Sequence, residues 1–181
     1  MMNTLDERRE ALEARIWELF PQLAKKKRPP NLVIDKDYLW GGKNVNERFQ
    51  ELTSEQAIEV FENETHWMSD VDYIHFCFPS KTFLYYLPAF LIALMHVPEH
   101  YPYYSLRWFW EDLNQESERF THKQDELLIA IFEWLVDYLQ AIESDVFGFV
   151  MADADTFETF AIEWMLVVDK KKAELGQRYL R

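Results

Sequence analysis

Thr121-His122-Lys123-Gln124-Asp125-Glu126-Leu127-Leu128-Ile129-Ala130-Ile131-Phe132-Glu133-Trp134-Leu135-Val136-Asp137-Tyr138-Leu139 is the stretch on which the fold reading turns. Thr121 and Gln124 have the spacing of a capping box, in which each side chain satisfies a backbone amide that the first helical turn leaves without a carbonyl. Behind the box, Leu127, Leu128, Ile131, Leu135, Val136 and Leu139 recur at steps of one, three and four, which makes one stripe on a 3.6-residue period. A cap followed by such a stripe predicts an amphipathic helix, and the stripe calls for other helices to cover it.

The flanking sequence supplies them. Thr4-Leu5-Asp6-Glu7 has the same box spacing, and Leu5, Leu12, Ile16, Leu19 and Phe20 follow at helical intervals until Pro21 stops the run. Thr53 or Ser54 opens a further helix, with Gln56 at the box position and Ala57, Ile58 and Phe61 turned inward. Ser80 is read as the cap of a short helix over 81–87, with Pro88 in the first turn of a separate helix reaching Met95. Tyr101 to Leu113 is read as an aromatic helix. A last helix starts near Asp155, turns Phe157, Phe160, Ala161, Trp164, Met165 and Val168 inward, and sets Lys170, Lys171 and Lys172 against its dipole with Gly176 as cap. Leu32-Val33-Ile34 is read as extended, and Asp70 to Phe78 fits neither period. The expectation is all-α: one domain of about six helices at 31–181, preceded by a basic N-terminal helix and Pro-containing linker at 1–30.

Composition narrows the class. The 181 residues are 49% hydrophobic and 17% aromatic, ample for a packed core, and four glycines leave little for phosphate-cradling loops. Acidic residues number 32 and basic ones 19, for a formal charge of −13. The charge is segregated: residues 1–28 hold seven basic and five acidic side chains, whereas 45–169 hold five basic and 24 acidic. Such a field repels phosphates, so nucleic acid is not an expected partner, and it speeds encounter with a basic protein. Lys25-Lys26-Lys27-Arg28, without aromatics, reads as a solvated loop. Cys77 is the single cysteine, which rules out an intrachain disulfide and points to a reducing, cytoplasmic setting; its neighbours Phe76 and Phe78 make it a buried thiol. No apolar run reaches the roughly 20 residues of a bilayer helix, and the N-terminus lacks the pattern of a signal peptide.

Phe78-Pro79-Ser80-Lys81-Thr82-Phe83-Leu84-Tyr85-Tyr86-Leu87-Pro88-Ala89-Phe90 resembles the aromatic-Tyr-Leu-Pro-Ala signature of a bacterial helical family known only as a domain of unknown function. Phe120-Thr121-His122-Lys123-Gln124, leading into Ile131-Phe132-Glu133-Trp134-Leu135, resembles that family's downstream helix. The resemblance implies a small bacterial cytoplasmic helical protein and brings no activity or functional residues with it.

Motifs for chemistry are sparse. His96-Val97-Pro98-Glu99-His100 spells H-x-x-E-H, which in inverted zinc peptidases works because both histidines share a helical face. Pro98 disfavours helix at Val97, so the segment is expected to end a helix rather than bind zinc. Asp72-x-x-His75 and His122-x-x-x-Glu126 fall short of a carboxylate-bridged di-metal set. Hydrolase-elbow, P-loop and dinucleotide signatures are absent. No cofactor, metal or catalytic residue is expected.

Tyr101, Tyr103, Tyr104, Arg107, Trp108 and Trp110 are of the types that dominate binding hot spots, and Trp108 and Trp110 cannot both face inward from one helix. They are the candidate partner-binding residues. The functional expectation is a non-enzymatic acidic interaction protein for a basic protein partner, with an immunity-type inhibitor or a nucleic-acid-charge mimic as particular forms. The alternatives are a structural or oligomeric accessory protein, or an enzyme with a His/acid site around His75, His96 and His100.

Overall fold

The computed structural model describes residues 2–24, 49, 51–63, 80–98, 113, 120–141, 165–166 and 168–174, and the statements below concern those residues. Most of them are helical and none lies in a strand, so the all-α class holds. Four helices run α1 Met2–Leu19, α2 Ser54–Asn63, α3 Ser80–His96 and α4 His122–Ala141. A further helical stretch, α5, covers 165–166 and 168–174. The expected strand-like stretch at Leu32, the aromatic segment 101–112 and the linker from Lys25 lie outside the described residues, as does the expected boundary at 30/31. The chain forms two compact units, one of Met1–Arg15 with Ser117–Arg181, the other of Ile16–Glu116.

In the first unit, α4 begins as its sequence specifies. The Thr121 amide donates to Gln124 Oε1 at 3.0 Å and the Gln124 amide donates to Thr121 Oγ1 at 3.4 Å, the reciprocal exchange of a capping box. Leu127, Leu128, Ile131, Leu135 and Val136 are all buried, so the stripe is the core face. Trp134 is buried as well, stacks on Tyr138 at 5.2 Å, and donates its indole N–H to the Leu5 carbonyl of α1 at 2.9 Å. That bond pins the only polar atom of a large ring on an otherwise apolar face.

Thr4 does not cap α1. The helix already runs from Met2, because nothing between Met2 and Thr4 breaks it, and the Thr4-x-x-Glu7 spacing falls inside the first turns. Nor is the helix itself basic: it carries five acids and three arginines, and the positive charge of the arm comes from Lys25 to Arg28 beyond it. Its C-terminal end matches expectation, with the helix closing at Leu19 and Pro21 in the following turn.

In the second unit, α2 packs against α3. The N-terminus of α2 carries a second box, Thr53 amide to Gln56 Oε1 at 3.0 Å and Gln56 amide to Thr53 Oγ1 at 3.3 Å. Two neighbouring tyrosines of α3 finish the same corner. Tyr85 accepts from the Ser54 amide at 3.1 Å, and the Tyr86 hydroxyl lies 2.8 Å from the Leu52 carbonyl and 3.1 Å from that of Phe49. Phe49 meets Phe61 and Tyr86, and Phe61 meets Phe90 edge-on at 5.5 Å. Each such ring contributes about 0.5–1.5 kcal/mol per aromatic pair beyond its area burial.

The two short helices expected around Pro88 are one. α3 runs unbroken from Ser80 to His96 with Pro88 inside it. Proline has no amide to give the carbonyl four residues back, which is that of Leu84. Gln22 replaces the missing donor: its Nε2 donates to the Leu84 carbonyl at 3.1 Å. Residues Tyr86 to Met95 are all buried, as a helix apolar on every side must be.

Candidate functional site

The six aromatic and arginine candidates, Tyr101, Tyr103, Tyr104, Arg107, Trp108 and Trp110, lie outside the described residues. So do His75, His100 and Cys77. His96 closes α3; Val97 has left the helix, so the helical face that H-x-x-E-H chemistry needs is interrupted at the motif's second residue. His96 Nδ1 lies 2.5 Å from Glu62 Oε1 of α2, in a half-buried pair that ties the C-terminal ends of the two packed helices. Among the described residues, no three of His, Cys, Asp and Glu come together as metal ligands. None of the described helices is long and apolar enough to cross a membrane.

Two features of the surface stand out. The first is the outer face of α2. Ser54, Ala57 and Phe61 are buried, while Glu55 and Glu59 are exposed one turn apart, and exposed Glu51 lies in the turn that precedes the helix. The described residues of the second unit carry Glu18, Glu51, Glu55, Glu59 and Glu62 against Lys81 and His96.

The second is a groove of about 490 Å³ in the first unit, bounded by α1, α4 and α5. Its floor is Val136 and Val168, both buried, with Met165 45% exposed beside them. Two ion pairs form its walls. Arg8 of α1 bonds Asp137 of α4 at 2.5 Å, and Lys172 of α5 bonds Glu133 of α4. The Glu133 hydrogen bond raises the Lys172 pKa above its ordinary value of 10.5, outweighing slight burial, with the charges of Glu133 and Asp169 acting in the same direction. Gln140 closes one end, its Nε2 3.8 Å from Met165 Sδ, and Asp169 stands on the rim.

The helical period places Met165 inward with Val168, but in the structure Met165 is exposed while Val168 is buried. On a helix of about 100° per residue, Met165 sits some 60° from Val168, at the edge of the buried face, and Leu166 about 160° away, across the helix. Leu166 is accordingly 63% exposed. The groove draws on residues 8, 133–140 and 165–172, and no local motif announces such an assembly. The one signal available in advance was a pair of apolar residues, Met165 and Leu166, next to a run of lysines.

Comparison of the chain with protein-family models, with curated proteins and with solved structures finds no match.

Proposed function

We propose that this is a non-enzymatic acidic interaction protein whose ligand is a basic protein, with inhibition of a cationic toxin or mimicry of nucleic-acid charge as the forms that fit. The observation that carries the reading is the division of α2: one face sealed on α3, the other presenting Glu55 and Glu59 one turn apart on a rigid element, with exposed Glu51 in the turn that precedes it. A capping box and two tyrosine hydroxyls fix the start of the helix, so the backbone that carries Glu55 and Glu59 has little order left to lose on association. With a formal charge of −13 behind it, the ridge steers a cationic partner and raises its on-rate. Kinship with the bacterial helical family of the Tyr86-Leu87-Pro88-Ala89 signature belongs to the same proposal, as does a place for the aromatic segment from Tyr101 to Trp110 in the interface.

The test is recovery of bound protein from the source cells at low salt, followed by association kinetics of the purified pair. Between about 0.05 and 0.5 M salt, where the screening length shrinks from beyond 10 Å to under 5 Å, the on-rate is expected to fall steeply. Reversing Glu51, Glu55 and Glu59 to lysine is expected to lower the low-salt on-rate by about tenfold or more. An on-rate flat with salt, or unmoved by the triple reversal, overturns the proposal.

A further inference from the structure

We infer that the groove between α1, α4 and α5 receives an arginine side chain of the basic partner, its aliphatic stem on Val136, Val168 and Met165 and its guanidinium on Asp169. This assignment rests on the proposed function and concerns the first unit by itself.

The argument is one of shape and charge together. At about 490 Å³ the groove has the volume of a small binding pocket, and its floor is apolar. Met165 is 45% exposed there, so apolar surface faces water that a stem of methylenes would displace. Of the three carboxylates around it, Glu133 is matched by Lys172 and Asp137 by Arg8. Asp169 makes no ion pair among the described residues and acts on Lys172 only through space. The groove therefore has one negative charge in excess, at its rim, above an apolar floor. A long side chain with a cationic tip meets both features. Arginine meets them better than lysine because its planar fork can bond both oxygens of Asp169, and because a guanidinium sheds water more readily. An aliphatic side chain would gain no contact with Asp169, and an acidic one would be repelled by it.

The test uses N-acetyl-arginine amide as the probe and N-acetyl-citrulline amide, its uncharged isostere, as the comparison. The readout is the ¹³C-methyl resonance of Met165, identified by its loss in Met165→Leu. The arginine amide is expected to shift that resonance saturably, with an affinity exceeding that of the citrulline amide by about threefold or more, the size of one exposed charge contact. Asp169→Asn, a substitution at an exposed position, is expected to remove that difference. Equal responses to the two probes, or a preference for arginine that survives Asp169→Asn, overturns the assignment. The partner complex separates the two proposals. Salt-sensitive capture that Asp169→Asn leaves unchanged overturns the groove assignment alone, whereas salt-insensitive capture overturns the function reading and leaves the probe titration as it stands.

Discussion

Pro88 shows at the scale of one residue how a local rule is satisfied from a distance. A proline inside a helix costs about 3 kcal/mol, partly because the carbonyl four residues earlier loses its donor. Here that carbonyl, Leu84, takes one from Gln22, 62 positions away in sequence. If this is the reason α3 stays whole, the two residues are coupled. Gln22→Ala should destabilise the protein by about 1 kcal/mol, since it leaves a half-buried carbonyl short of a partner. In a Pro88→Ala background the new amide supplies the bond within the helix, and the same change should cost about half as much or less. Urea unfolding of the four proteins measures the coupling; equal losses from Gln22→Ala in both backgrounds would show the bond to be incidental. The proline is plain in the sequence, but the local rule alone puts a helix start where the helix in fact continues. Nothing near Pro88 reports that a glutamine after α1 will stand in for its missing amide.

Elements were legible where their determinants are local. The boxes at Thr53 and Thr121 need only residues three apart, and both form as the spacing predicts. The α4 stripe is equally self-contained, since its period alone decides which face is buried. The spacing at Thr4 failed because a box marks a helix start only where the helix has not already begun. Tertiary ties were not legible: that Tyr85 and Tyr86 of α3 brace the start of α2 depends on how the helices pack, and so does the groove that joins Arg8 to residues beyond 164. The caps themselves can be tested. Thr121→Ala and Thr53→Ala should each lower stability by about 1 kcal/mol, and Thr→Ser at either position should restore most of the loss, because a hydroxyl is all the amide requires. Failure of serine to rescue would place the cost in the lost methyl and its packing instead.

At the scale of the whole molecule, opposing electrostatic effects can be ranked. The formal charge of −13 makes the folded chain repel itself, which expanded, unfolded chains do less. Against this stand exposed pairs such as Arg8–Asp137 and Lys172–Glu133, each worth about 0–1 kcal/mol and weakened by the same salt that relieves the repulsion. With 32 acids and only 19 bases, most like-charge encounters have no local cation to offset them, so screening should remove more repulsion than attraction. The thermal midpoint is therefore expected to rise by a few degrees between about 0.02 and 0.2 M sodium chloride, over which the screening length falls from about 20 Å to about 7 Å. Differential scanning calorimetry at pH 7 reads the effect. A midpoint that falls over this range would mean the ion pairs outweigh the net charge, and the long-range field invoked for partner steering would then be too weak for that role. A rise, with on-rates that drop in the same salt interval, would trace both behaviours to one cause: carboxylates crowded on a folded surface, unfavourable for the isolated chain and relieved when a cationic protein arrives.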